Sequence, residues 1–204
     1  RFVVRRIVIV LAVVLLTAAF AQATELGFKA GLNLANLTGD VENNKAMMTF
    51  GGGAFAKFMV APQIFIKPEV VYMMKGTKGD SDDFDEKMKF NYIEIPVLLG
   101  YQFPTQGSVS PSLFVGPALG ILMSAKYELE GVEVDIKDFT KSTDFGLVLG
   151  GGVDFGLGTS GKLALDARYT VGLTNLNDDV DADEFEFKNA VFSFFVGYAF
   201  PIGQ

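Results

Sequence analysis

From Ala190 to Phe200 the chain reads Ala-Val-Phe-Ser-Phe-Phe-Val-Gly-Tyr-Ala-Phe, so every second residue from Ala190 is apolar or aromatic while Ser193, Gly197 and Ala199 fall between. A period of two marks a strand with one greasy face. The same alternation recurs about eight times along the chain, with no helical pattern that could cover those faces with a second layer. The remaining solvent for them is lipid. An open sheet edge in hydrocarbon leaves backbone groups unpaired, so such a chain must close its sheet on itself.

Arg1, Arg5 and Arg6 precede an apolar run from Ile7 to Leu16 and the small-x-small pattern Ala21-Gln22-Ala23. This pattern predicts a signal peptide over residues 1–23, because the run falls short of the roughly 20 residues of a spanning helix. The expected barrel domain is then 24–204, exported through the inner membrane to the outer membrane of a Gram-negative cell. Setting aside the three arginines leaves 14 basic against 24 acidic residues, a formal charge near −10. Nucleic acid is an unsuitable partner for that surface. The chain has no Cys and no His, which removes disulfides, thiolate metal sites and the commonest general base and metal ligand.

Stepping by two gives eight strands, an all-β, antiparallel, up-and-down transmembrane barrel with apolar residues outward and small or polar residues inward. The first, 25–35, turns Leu26, Phe28, Ala30, Leu32 and Leu34 outward and Gly27, Lys29, Gly31 and Asn33 inward. The second, 49–59, sends Phe50, Gly52, Ala54, Ala56 and Phe58 out and Lys57 in; the third, 64–74, sends Ile64, Ile66, Val70, Tyr72 and Met74 out, Lys67 and Glu69 in. Pro68 weakens that third strand, since proline cannot donate to a ladder. The fourth, 90–101, places Ile93, Ile95, Val97, Leu99 and Tyr101 outside with Tyr92, Glu94 and Gly100 inside. The fifth, 111–125, alternates Leu113, Val115, Leu119, Ile121 and Met123 with Ser112, Gly116, Ala118, Gly120 and Ser124. The sixth, 143–155, sets Phe145, Leu147, Leu149, Val153 and Phe155 against Asp144, Gly146, Gly150, Gly152 and Asp154. The seventh, 163–173, sets Leu163, Leu165, Ala167, Tyr169, Val171 and Leu173 against Asp166, Arg168, Thr170 and Gly172, and 190–200 closes the barrel.

Connections alternate in length: 60–63, 102–110 and 156–162 are short, whereas 36–48, 75–89, 126–142 and 174–189 are long and polar. Short turns belong on the periplasmic side and long loops outside the cell. Tyr72, Tyr101, Phe155, Tyr169, Tyr198 and Phe200, near strand ends, suit interfacial aromatic girdles.

Gly31-Leu32-Asn33, Pro68-Glu69-Val70-Val71-Tyr72 with Lys75-Gly76, Tyr92-Ile93-Glu94-Ile95-Pro96, Val115-Gly116-Pro117, Asp144-Phe145-Gly146 and Arg168-Tyr169 with Gly172-Leu173-Thr174-Asn175 follow one another along nearly the whole chain after Ala23. In that order and spacing they resemble the PorT-like outer-membrane β-barrel family, an outer membrane protein beta-barrel domain. The resemblance implies an eight-stranded barrel of mostly uncharacterised function. Some relatives are linked to a protein secretion apparatus, a role these motifs do not transfer.

The inward charges Lys57, Lys67, Glu69, Glu94, Asp144, Asp166 and Arg168 are the nearest thing to a site. An eight-stranded barrel has an interior just wide enough for side chains to fill, so these read first as a paired structural network with Lys67 and Arg168 as the cations for Glu69 and Glu94, and second as a proton-linked or ligand-binding site. No catalytic, cofactor-binding or metal-ligating residue is expected. The acidic runs 80–86 and 177–184 lack the spacing of an EF-hand loop and read as solvated loops, with weak divalent bridging as the alternative. Gly51-Gly52-Gly53 and Gly150-Gly151-Gly152 lie inside strand patterns without a following helix, which suits close backbone packing better than phosphate binding.

The leading functional expectation is a small non-enzymatic outer-membrane barrel, a structural or interaction module presenting acidic loops outside the cell. A narrow pore and a soluble, lipocalin-like periplasmic ligand binder are the alternatives. Outer-membrane lipid, the barrel-assembly machinery that would read the aromatic closing strand, and an unidentified extracellular or periplasmic protein are the partners this reading anticipates.

Overall fold

The computed structural model describes residues 25–41, 44–80, 86–178 and 186–202. The segment read as a signal peptide lies outside these, as do residues 81–85 and 179–184 of the two acidic runs. The strands are β1 (Glu25–Gly39), β2 (Asn44–Ala61), β3 (Ile64–Gly79), β4 (Glu86–Gln102), β5 (Val109–Leu129), a short β6 (Val132–Asp135), β7 (Thr143–Gly156), β8 (Lys162–Gly172) and β9 (Phe187–Pro201). Each long strand pairs antiparallel with its neighbour in sequence, β5 pairs β7 past the small β6, and β9 returns to pair β1. The result is a closed eight-stranded barrel whose wall has no free edge, with β6 attached to β5 at the loop end. No helix among the described residues is long and apolar enough to cross a membrane; the strands do the crossing.

The alternation read from the sequence sets the two faces. Leu147 and Phe194 are exposed on the outside and Leu26 and Ile95 are partly so, while Glu69, Glu94 and Arg168 are sealed within. Ala56 is an exception in exposure: it belongs to the outward series yet is buried, paired with Leu26. Pro68 does not end its strand. The β3–β4 register runs unbroken from Pro68↔Val97 to Val71↔Glu94, and only the positions between them lack a ladder pair, beside Pro96, which has no N–H to give.

Three departures from simple alternation shape the molecule. First, the wall is taller than the repeat suggests on the loop side, because much of 36–48 and 75–89 is strand. Beyond Ile121, which pairs with the first residue of β7, β5 runs on to Leu129. Those eight residues carry a flap of β2, β3, β4, β5 and β6 past the β7–β8 wall, about 26 Å measured along β5 at about 3.3 Å per residue. Second, the β4–β5 register passes from Asn91↔Ser124 to Tyr92↔Leu122, so Met123 is a bulged residue. A bulge reverses the parity of the residues beyond it: Ser124, expected inside, faces outward and accepts a hydrogen bond from Asn91 Nδ2 at 2.8 Å, and the fully buried Ala125 takes the inner place opposite Phe90. Third, aromatics are not confined to the outer face. Phe55, Phe65, Phe90, Tyr92, Phe114 and Phe195 are buried in the lumen.

Inward glycines make room for those rings. A methyl group at Gly100 would lie 2.0 Å from Cζ of Phe65, one at Gly27 2.4 Å from Cζ of Phe55, and one at Gly150 2.7 Å from Phe114. At the turn end, the outward Phe28, Tyr198 and Phe200 pack together with centroids 4.8–6.2 Å apart. The hydroxyls there reach the turns: Tyr101 donates to Gln63 Oε1 at 2.6 Å and Tyr198 donates to the Ser160 carbonyl. An apolar body with a polar tip is the form that suits a membrane interface.

Candidate functional site

Charged side chains from six strands meet inside the barrel in three tiers. In the middle tier the Glu69 carboxylate (β3) receives Lys29 Nζ (β1) at 2.7 Å, Arg168 Nη1 (β8) at 2.7 Å and Lys67 Nζ (β3) at 3.3 Å. Asp166 (β8) lies 3.2 Å from Lys29 and 3.6 Å from Lys67. Toward the loops, Lys75 (β3) lies 2.7 Å from Glu94 (β4) and 3.2 Å from Asp144 (β7), which also accepts from Asn189 Nδ2 (β9) at 2.8 Å. Toward the turns, Lys57 (β2) lies 2.9 Å from Asp154 (β7), donates to Gln102 Oε1 at 2.8 Å and sits 4.0 Å from Glu25, which is also bonded by Lys162.

Each of the five lumen cations also faces an aromatic ring. Lys29 and Arg168 lie 4.7 and 4.5 Å from the centroid of Phe195, Lys57 4.7 Å from Phe65, Lys67 4.7 Å from Phe114 and Lys75 5.0 Å from Tyr92. A ring face attracts a desolvated cation by about 2 kcal/mol. Burying a charge costs several kcal/mol per ion unless its partners are close and well aligned, so the rings and the carboxylates together offset that cost. The inward aromatics therefore belong to the charge network as much as the ions do.

Above the tiers, Leu37, Phe90, Leu122, Ala125 and Leu176 form an apolar cap over the loop end. Among the described residues, Leu176 is the one buried member of that cap not carried on a strand. Its backbone is tied by Leu176 N to Phe187 O at 2.9 Å and Lys141 N to Leu176 O at 2.9 Å. Below, a cavity of about 20 Å³ lined by Lys29, Lys57, Lys67, Asp154 and Asp166 opens at the turn end. That is room for about one water molecule.

The structure gathers Lys67, Glu69, Asp166 and Arg168 into one cluster and puts Glu94 and Asp144 in another, around Lys75. The expected pairing of Glu94 with Lys67 or Arg168 is replaced by Lys75 at 2.7 Å. Lys75 escapes the sequence pattern because 75–89 reads as a loop; its signal is parity, since it continues the inward series Lys67, Glu69, Val71, Met73. Lys29 shows its inward position in the pattern but not its partners, which lie 40 and 137 residues away. Among the described residues no group of three or more acidic side chains is arranged to hold a metal ion.

None of the curated proteins matches the chain. Among solved structures, Neisserial surface protein A (NspA) superposes with a TM-score of 0.52 at 17% identity, covering 87% of this chain and 97% of that one. The outer membrane protein OprG from Pseudomonas aeruginosa gives 0.50 at 14% identity, covering 88% and 97%. At these identities the likeness is one of fold. The family described as outer membrane protein beta-barrel domain matches residues 20–178, a description that names no PorT-like branch. Closed strands with a lipid-facing exterior and that match together place the chain in the outer membrane of a Gram-negative cell, and it belongs to the outer membrane protein beta-barrel domain family.

Proposed function

We propose that this barrel is a non-enzymatic, non-conducting module whose lumen is plugged by its own side chains and whose work is done by the surface it presents outside the cell. The observation that carries this reading is the Lys29–Glu69–Arg168 contact, in which side chains from β1, β3 and β8 meet at 2.7 Å across the lumen. An ion in transit would have to displace several buried, mutually paired charges, the cations among them held against rings. The absence of His and Cys removes the usual activated nucleophiles and bases from any catalytic version of the site. Acidic loops, rich in Asp and Glu over 80–86 and 177–184, give the outer surface its charge.

Planar-bilayer recording on the folded barrel tests the reading. The expected result is no stable conductance in the wild type. Large, long-lived channels would overturn the plug and favour the pore.

A further inference from the structure

The flap ends in β6, which pairs with β5 on one side and with no other described strand on the other, and the chemistry of that outer edge specifies what can pair with it. Glu130 and Gly131, at φ 51° and 81°, make the two-residue turn that folds β6 back along β5. Register pairs Leu129 with Val132, Tyr127 with Val134 and Lys126 with Asp135. Ile136 N donates to Ala125 O at 3.0 Å, which fixes the bonded pairs as 125/136, 127/134 and 129/132 by the alternation of an antiparallel ladder. The N–H and C=O groups of Glu133 and Asp135 therefore point away from β5, along an edge that no other described strand pairs. All four residues of β6 are exposed.

The two faces flanking that edge differ. Val132 and Val134, 66% and 53% exposed, continue the inward side with Tyr127 and Leu129. Glu133 and Asp135 stand on the other side with Lys126 and Glu128. Their carboxylates are partly engaged: Glu133 by Lys126 at 2.5 Å and Lys89 at 3.4 Å, Asp135 by the Lys137 backbone N–H at 2.9 Å. The stretch from Glu128 to Asp138 nevertheless holds five carboxylates against one lysine. An edge of this kind accepts an added strand. A second copy of this chain is disfavoured as that strand, because edge-to-edge pairing would set Glu133 and Asp135 of each copy against the acids of the other.

We propose that the free edge of β6 binds an extended segment of a partner protein in which apolar residues, packing beside Val132 and Val134, alternate with Lys or Arg facing Glu133 and Asp135. This rests on the barrel being an interaction module, and goes beyond it by stating what the module recognises.

A nine-residue Lys-Val repeat peptide, with a Glu-Val repeat as control, probes the edge of the full barrel in detergent at low salt by fluorescence anisotropy and hydrogen exchange. In the barrel alone, the Glu133 and Asp135 amides are expected to exchange fast while those of Val132 and Val134 are protected. The Lys-Val peptide is expected to bind and to protect the first two; the Glu-Val peptide is not. Glu133→Pro removes a free-edge donor without touching the bonds to β5 and is expected to weaken binding by about tenfold or more, the size of a lost bond to a desolvated edge. Glu133→Ala, which keeps the donor, is expected to lose less. Should Val132 and Val134 lose protection in Glu133→Pro, Asp135→Pro serves as the second variant. Equal binding of both peptides, undiminished binding by both proline variants, or protection of the Glu133 amide without peptide, whether by a second copy or by the chain itself, would overturn the proposal. None of these outcomes would touch the conductance result, so the two readings fail separately.

Discussion

Arg168 Nη1 lies 2.7 Å from Glu69 Oε2 with both side chains sealed from solvent, tying together two residues 99 positions apart through the axis of the barrel. Removing one partner of a buried pair leaves the other uncompensated and costs about 3–5 kcal/mol. Glu69 keeps Lys29 at 2.7 Å and Lys67 at 3.3 Å, so Arg168→Leu is expected at the low end, about 3 kcal/mol. The folded band on a heat-modifiability gel should then disappear at a lower temperature than in the wild type. Combining it with Glu69→Gln should cost less than the two single losses added, because the side chains share one network. An unchanged melting temperature, or strict additivity, would show that the contact carries no stability.

The glycine-to-ring packing makes a second prediction. With only 2.0 Å between a methyl at Gly100 and Phe65, Gly100→Ala forces the ring out of place, and overpacking of this kind costs about 1–3 kcal/mol. Shortening the ring in Gly100→Ala/Phe65→Leu should restore part of that loss, although Lys57 then loses the ring that lies 4.7 Å from it. Thermal gel shifts of the three variants decide it: a double variant no better than Gly100→Ala would mean that the clash is not with Phe65.

Period-two alternation made the barrel legible, because lipid outside and crowding inside act on every strand alike. Glu69, Asp166 and Arg168 stand out in the sequence as charges on the crowded face. Lys67 and Arg168 do pair with Glu69 as their inward parity suggests, but Lys29 as its third cation and Lys75 as the partner of Glu94 are not legible, because pairing across a closed barrel depends on shear and register rather than on proximity in the chain. The inward rings Phe65, Phe114 and Phe195 sit at the inward parity of their strands, but an aromatic satisfies an apolar pattern on either face, so residue type alone does not mark them as part of the lumen. Lys75 was hidden by composition, since a strand that continues into water becomes polar and reads as a loop.

The Met123 bulge offers a test of parity. With Ser124 outward and Ala125 fully buried opposite Phe90, Ser124→Ala should cost only the Asn91 hydrogen bond, about 1 kcal/mol. Ala125→Asp should place an unpaired carboxylate among Phe90, Leu122 and Leu176 and prevent recovery of the heat-modifiable form. Regular alternation predicts the reverse order of damage. Refolding yields of the two variants in the same detergent distinguish them.

Protonation provides a check on the flap that does not depend on any partner. Glu133 accepts from Lys126 at 2.5 Å and from Lys89 at 3.4 Å, and the Lys126 hydrogen bond, ahead of its charge and of Lys89, holds the carboxyl below the ordinary glutamate range. A group whose folded value is depressed adds stability above its unfolded value, and that stability is lost as pH falls through the folded one. The pair therefore supports the hairpin at neutral pH and lets go only in acid. Carbon-detected NMR titration of Glu133 should show its midpoint below about 4.3, the reference for a free glutamate. Lys126→Ala should raise that midpoint, and added salt should shrink the difference, because the site is open to screening. Backbone bonds such as Ile136 N to Ala125 O should keep β6 paired to β5 throughout. A Glu133 midpoint at or above the reference, insensitive to Lys126→Ala, would mean that Lys126 does not hold the carboxylate in solution.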